Sequence, residues 1–257
     1  MSLTITALPA FKDNYIWALS RPDNPYCVIV DPGSAEPVNA YLHTKQLNLA
    51  AILITHHHFD HTAGIQALVK NTSIPVYGPV LETIPGITHP VDQKDKVIIK
   101  ELTLELAILD VPGHTLGHIA YYAENCLFCG DTLFAGGCGR MFEGTAEQLL
   151  ASLSSLSALP EETQIYCAHE YTAANLKFAL TLEPENKALQ ARYAAVQLLR
   201  AQGANSLPAR LGLEKSTNPF LRCSESSIIE AATRLAGYSL KDVVEVFKVI
   251  RHAKDHF

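Results

Sequence analysis

The sequence predicts an α/β domain over residues 1–170 followed by a helical subdomain over residues 171–257. Three observations lead there. Up to about residue 170, short apolar runs rich in β-branched residues stop abruptly at small or polar residues, the punctuation of strands. Beyond residue 171 the apolar residues recur at helical spacing instead. A chain of 257 residues, 48% of them hydrophobic, can also bury a large core without disulfides or a structural metal.

In chain order the strand-like runs are CVIVDPG at 27–33, AAILITH at 50–56, ELTLELAILDVPGH at 101–114, CLFCGD at 126–131 and TQIYCAH at 163–169. Ile65, Leu68 and Val69 open a helical pattern after the second run, and residues 146–159 carry another after a glycine-rich loop. The tail offers helices over 175–182, 186–203 and 225–236, and a last one from Ser239 onward. In that last segment Val243, Phe247 and Ile250 fall at i, i+4 and i+7, one face of a helix, and Ser239 with Asp242 has capping-box spacing. No repeat of 20–50 residues and no low-complexity stretch interrupts this order.

Charge narrows the function classes. A net charge of −6 offers no basic stripe for a polyanion, so nucleic acid is excluded as a partner. The opening MSLTITALPA has neither a basic start nor a long apolar run, and no later window reaches the length of a membrane span. A cytoplasmic protein without membrane association is expected, acting as a monomer. The six cysteines, at 27, 126, 129, 138, 167 and 223, read as reduced and mostly buried thiols. Cys126 and Cys129 match CxxC, but no second pair answers them and they lie in a strand-like run, which disfavours a redox or zinc-ribbon role.

The chemistry concentrates where strands end. Four strand-like runs stop on a residue able to hold a metal: His56, His114, Asp131 and His169. Strand ends of a layered α/β fold can meet at one edge although they are distant in sequence. The stretch THHHFDH adds more. On an extended segment alternate side chains point the same way, so His56 and His58 can chelate one ion while His57 points elsewhere. On a helix the same pair would diverge by about 200°. Asp60 and His61 then belong to the turn into the next helix and can hold a second ion, with His57 and Phe59 facing away as packing or support. His118 is given a support role, and Asp31 is expected to accept a hydrogen bond from a ligand histidine.

These residues resemble a known superfamily. His56-x-His58-x-Asp60-His61, Pro112-Gly-His114-Thr-x-Gly-His118, Cys129-Gly-Asp131-Thr and Ala168-His169-Glu170-Tyr171 are similar to the ordered motifs of the metallo-β-lactamase superfamily. That resemblance implies an αββα sandwich with a binuclear metal site. PAFKDNYIW near the start, FAGGCGRMFEGT at 134–145, HEYTAANLKFAL at 169–180 and the ending RHAKDHF narrow it to the glyoxalase II (hydroxyacylglutathione hydrolase) family. The resemblance implies hydrolysis of the thioester S-D-lactoylglutathione in methylglyoxal detoxification. A persulfide dioxygenase or a broader thioesterase of the same fold is the neighbouring reading, and a non-catalytic metal-binding module a distant one.

Carried over by position, the resemblance implies that His56, His58 and His114 hold the first ion, Asp60, His61 and His169 the second, and that Asp131 bridges them. Nitrogen and carboxylate ligands suit zinc, iron or manganese; the family points to zinc. Two divalent ions less the charge of Asp60, Asp131 and a bridging hydroxide leave a centre of about +1, which brings the pKa of bound water toward about 7. Asp60 and Asp131 are therefore the catalytic carboxylates. A tripeptide substrate with carboxylates needs cations at a distance from the metals, and Arg140, Phe142, Tyr171, Arg251 and Lys254 match the family's glutathione contacts. Phe142 stands where some members have tyrosine and cannot donate a hydroxyl hydrogen bond.

Overall fold

The computed structural model describes residues 2–257. The chain forms two compact units, one from the residues up to Val111 together with Leu116–Gly130, the other from Pro112–Thr115 together with Asp131–Phe257.

The first unit contains β1 (Thr4–Ala10), β2 (Asn14–Ser20), β3 (Tyr26–Val30), α1 (Ala35–Lys45), β4 (Asn48–Leu53), α2 (Phe59–Thr62), α3 (Ile65–Val69), β5 (Val76–Pro79), β6 (His89–Val91), β7 (Lys96–Ile99), β8 (Leu104–Asp110), β9 (Ile119–Ala123) and β10 (Cys126–Gly130). Strands β1 to β6 lie side by side in chain order. The first three are antiparallel, whereas β3 to β6 run parallel. Parallel neighbours need a crossover, and α1 supplies it between β3 and β4. Strands β7 to β10 form an antiparallel meander.

The alternation of strand side chains places two apolar sets on the first sheet. Ile16, Ala18, Cys27, Ile29 and Ile52 pack with Val38 of α1 and with Ile65 and Leu68 of α3. On the opposite face Trp17, Leu19, Val28, Val30, Ala51 and Leu53 are buried as well. Burial on both faces explains why β2, β3 and β4 read as continuous apolar runs. Tyr121 of β9 donates its hydroxyl to the Ile54 carbonyl just past β4 at 3.0 Å, tying the meander to the first sheet.

The second unit contains β11 (Leu133–Phe134), β12 (Gly137–Cys138), α4 (Ala146–Ser157), β13 (Gln164–Cys167), α5 (Thr172–Leu182), α6 (Lys187–Ala201), β14 (Ala209–Arg210), α7 (Leu211–Thr217), α8 (Ser226–Ala236) and α9 (Val243–Asp255). From Thr172 onward β14 is the only strand among the described residues, and the other elements are helices joined by loops. Leu176 and Ala179 of α5 pack on Leu189 and Val196 of α6. A capping box of Thr145 and Gln148 starts α4, and Asn186 caps α6 through the Leu189 N–H.

Two local expectations need correction. The last helix begins at Val243, not Ser239, and its cap is Asp242, whose carboxylate accepts the Glu245 N–H at 2.9 Å. Asp242 is thus the N-cap itself rather than the third residue of a box. Val243, the first residue of the helix, is exposed, and the buried stripe is Val246, Phe247, Ile250 and Arg251. All six cysteines are free, and all but Cys126 are buried. Among the described residues no helix is long and apolar enough to cross a membrane.

Candidate functional site

The THHHFDH stretch leaves β4 through a bend at His56 and enters α2 at Phe59. The segment brings His56 Nε2 and His58 Nδ1 to 3.0 Å from each other. Two ring nitrogens that close repel unless a proton or a cation lies between them. His57 stacks its ring on His58 at 4.9 Å. Phe59 is 74% exposed and packs on no core, contrary to the packing role expected for it, because the first turn of α2 points it outward.

Asp60 and His61 follow inside α2. His61 is buried, and its Nδ1 lies 3.0 Å from Asp31 Oδ2, which leaves Nε2 3.6 Å from Asp60 Oδ2. Asp31 performs the role expected of it. It also accepts the Thr55 N–H at 2.8 Å and the Thr55 hydroxyl at 2.7 Å. Thr55 Oγ1 in turn lies 3.0 Å from His56 Nδ1, so His56 too is held at one nitrogen and presents the other. His118 stacks on His56 with ring centroids 4.5 Å apart and 17° between planes. Gly130 must be glycine here, since at its φ of +48° a Cβ would meet Thr55 Oγ1 at 2.3 Å and the His118 ring at 2.8 Å.

The second unit repeats the pattern. His114 places Nδ1 2.8 Å from the Arg140 carbonyl, which can only accept, so the proton sits on Nδ1 and the Nε2 lone pair is available. That Nε2 lies 3.4 Å from Asp131 Oδ2, while His169 Nε2 lies 3.4 Å from Asp131 Oδ1. Each oxygen of one carboxylate therefore faces a different histidine. Gly139 makes this possible, because a Cβ there would fall 1.9 Å from the Asp131 carbonyl oxygen.

His56, His61 and His114 are each held at Nδ1 by a hydroxyl, a carboxylate or a carbonyl and aim Nε2 at a further ligand-type atom. This is how metal-binding histidines are oriented, and the donor set of imidazole and carboxylate suits divalent ions.

All five residues expected to grip substrate, Arg140, Phe142, Tyr171, Arg251 and Lys254, line one cleft of about 440 Å³ in the second unit, together with His114 and Asp131. Tyr171 stacks on His169 at 4.7 Å with planes 4° apart, and the mostly exposed Phe142 meets the His114 ring edge-on at 5.2 Å. Arg251 is enclosed rather than solvated. It is buried, donates to the Cys138 carbonyl at 2.8 Å and to Asp255 at 3.1 Å, and lies over the Phe220 ring. Lys254 lies over Phe178 and Phe257, and burial, aided by the charges of Arg251 and Arg140, holds its ammonium below the usual lysine range. Burial pushes the Cys138 thiol up to about 11, so it stays protonated and is no nucleophile.

Sequence reasoning missed three contributors. Asn14 donates to Asp60 Oδ2 at 2.8 Å from 46 residues away. Thr55 links Asp31 to His56, and the Arg140 carbonyl fixes His114. The first had a signal in the KDNYIW stretch; a backbone carbonyl has none.

Comparison with known proteins decides the family. The model for the hydroxyacylglutathione hydrolase C-terminus matches residues 170–257, and that for the metallo-β-lactamase superfamily matches residues 23–169. The hydroxyacylglutathione hydrolase of Nitrosomonas eutropha is 53% identical over 248 residues, 96% of each chain. The chain belongs to the hydroxyacylglutathione hydrolase family. The hydroxyacylglutathione hydrolase of Vibrio cholerae is 51% identical over 99% of this chain and all of its own. Among solved structures, BLEG-1 B3 metallo-β-lactamase is 27% identical with a TM-score of 0.64, covering 85% of this chain and 99% of that one. ETHE1 from Myxococcus xanthus, 24% identical with a TM-score of 0.68 over 98% of this chain and 91% of that one, shares the fold. Membership of the hydroxyacylglutathione hydrolase family makes the chain a hydrolase with the αββα sandwich and a helical C-terminal part. Its histidine and aspartate set supports a site for two divalent ions.

Proposed function

We propose that the chain hydrolyses S-D-lactoylglutathione to D-lactate and glutathione with two divalent ions, zinc before iron or manganese. In this reading His56, His58 and His114 hold one ion, Asp60, His61 and His169 the other, and Asp131 bridges. The observation that carries it is the cleft in which Arg140, Arg251 and Lys254 share a lining with Tyr171, His114 and Asp131. Cations within one cleft of two ligand residues suit a thioester whose reacting carbonyl sits at the metals while its tripeptide carboxylates extend away from them.

When bound, the ions supply Lewis acidity and a water acidic enough to attack at neutral pH. The chain's own residues do the rest. Arg140, through its carbonyl, keeps the His114 proton on Nδ1 and so keeps Nε2 basic. Asp31 does the same for His61, and Asn14 holds the Asp60 carboxylate in place. Attack on the thioester carbonyl breaks the C–S bond, and glutathione departs as thiolate. A thiolate is a good leaving group, so no side chain has to donate a proton to it. Residues 171–257 act as the substrate-binding subdomain, and the enzyme works in the cytoplasm as a monomer on a small-molecule thioester.

The test is steady-state hydrolysis of S-D-lactoylglutathione by purified protein, with metals per chain measured on the same sample. Turnover with two ions supports the proposal. A single iron with oxygen consumption on glutathione persulfide, or two ions without any hydrolysis, overturns it.

A further inference from the structure

The hairpin of β11 and β12 is too short to hold its own shape, pairing only Leu133 with Cys138 and Phe134 with Gly137. Side chains from the helices that follow hold its backbone group by group. Asn218 Nδ2 donates to the Phe134 carbonyl at 3.2 Å and to the Gly137 carbonyl at 2.9 Å, the two ends of the turn. Asn175 donates to the Ala135 carbonyl at 3.1 Å, and the Gly136 N–H donates to Glu214 Oε2 at 2.8 Å. The Cys138 carbonyl accepts from Arg251. From Phe134 to Cys138, every residue thus has a backbone group bonded to a side chain of the helical part.

Asn218 is the hub. Fully buried, it also donates to Glu214 Oε2 at 3.1 Å and accepts the Phe220 N–H at 3.0 Å. Glu214, equally buried, has its charge matched by Arg192, which also donates to Thr217. Such a network in a dry interior is stabilising only when every member is satisfied, so it admits one geometry of the turn. Only an amide fits the hub: a carboxylate would face two carbonyls and Glu214 with no hydrogen to offer.

We propose that Asn218 is a positioning residue that fixes the cleft wall formed by Phe134 and Cys138, and through the Cys138 carbonyl the guanidinium of Arg251; the inference rests on the substrate cleft proposed above. Its effect falls on binding rather than on the metal ligands. Residues 139–142 have anchors of their own, Gly139 N–H to the Thr132 carbonyl and Phe142 N–H to the His114 carbonyl.

The experiment compares Asn218→Ser and Asn218→Asp with Arg222→Gln, which breaks the Arg222–Glu183 pair without touching the hairpin. Both Asn218 variants should raise KM for S-D-lactoylglutathione about tenfold, the worth of one net hydrogen bond, with kcat within about threefold of wild type. Arg222→Gln should lower the thermal midpoint and leave KM alone. In the wild-type protein the Gly136 amide should exchange with solvent far more slowly than exposed loop amides, and it should accelerate in both Asn218 variants. KM within about twofold of wild type in a folded Asn218 variant, an equal KM rise in Arg222→Gln, or fast exchange at Gly136 in the wild type overturns the inference. Failure of the wild-type protein to turn over the thioester overturns the reaction and not the clamp, which the exchange rate at Gly136 then decides alone.

Discussion

Asp31→Asn isolates how a residue that touches no metal controls one. The carboxylate receives three hydrogen bonds: the Thr55 N–H at Oδ1, and the Thr55 hydroxyl with His61 Nδ1 at Oδ2. Asparagine has the same size, and at a φ of +51° it is one of the few residues that tolerate the left-handed backbone, so the fold is not strained by the change. The backbone N–H cannot turn away, which pins the amide oxygen at the Oδ1 position and puts the NH2 group where Oδ2 was. The Thr55 hydroxyl can rotate to accept. His61 cannot: to face an NH2 donor its Nδ1 must lose the proton, which moves to Nε2 and closes the lone pair now aimed toward Asp60. A lost hydrogen bond to a charged group is worth about 1.5–3 kcal/mol, and removal of a histidine's outer partner weakens metal binding about 10–100-fold, or about 1.4–2.8 kcal/mol. The two routes agree. Titration of metal-free protein with zinc against a chelating dye should therefore show one of two sites weakened by that factor, while the thermal midpoint of the metal-free protein barely moves. Two sites with wild-type affinity would refute the tautomer argument.

Three further outcomes follow from the same geometry. His58→Ala should lose more than the about 10–100-fold typical of an outer partner, in both metal occupancy and turnover, and His57→Ala should lose far less; equal losses would show that alternation along the extended segment does not sort the ligands. Because burial, then Arg251 and Arg140, lower the Lys254 pKa, its charge disappears as pH rises through a value below the ordinary lysine figure of about 10.4. KM for the glutathione thioester should then climb early in the alkaline range in wild type and stay flat in Lys254→Arg, and a flat wild-type profile to pH about 10.4 would contradict it. Burial pushes the Glu183 carboxyl up, but hydrogen bonds from Arg222 and Ser227 outweigh it and hold it below the usual range. A depressed folded pKa stabilises above the unfolded value of about 4.3 and ceases to do so as pH falls through the folded one. The difference in thermal midpoint between wild type and Arg222→Gln should thus be full at pH 7 and shrink below pH of about 4; a difference that grows in acid would reverse the sign.

How much of this was legible depended on whether the information sat in residue type or in contact. That Asp60 and His61 lie in the turn into a helix beyond His56 and His58 was legible because such a turn is a local property. The two units were not visible, since Pro112–Thr115 packs with residues that follow Asp131. The cleft lining brings Arg140 and Phe142 from the glycine loop to Tyr171, Arg251 and Lys254 from the tail, and motif resemblance located these residues without saying how each is held. Arg251 is the clearest case: its motif match gave no sign that it is buried and donates to the Cys138 carbonyl.

By itself the sequence determined the α/β character of the first 170 residues, the helical character of the tail and where residues with metal-binding donors stand. It also carried the family's motifs along nearly the whole chain. Those are properties of periodicity and of donor chemistry, written one residue at a time. The tertiary structure alone decided that His114 turns Nδ1 to the Arg140 carbonyl, which oxygen of Asp131 His114 and His169 each face, and that Asn218 holds a turn more than 80 residues distant. Each of these depends on a contact between groups distant in the chain, and the carbonyls of Arg140, Phe134 and Gly137 among the partners are groups that every residue carries.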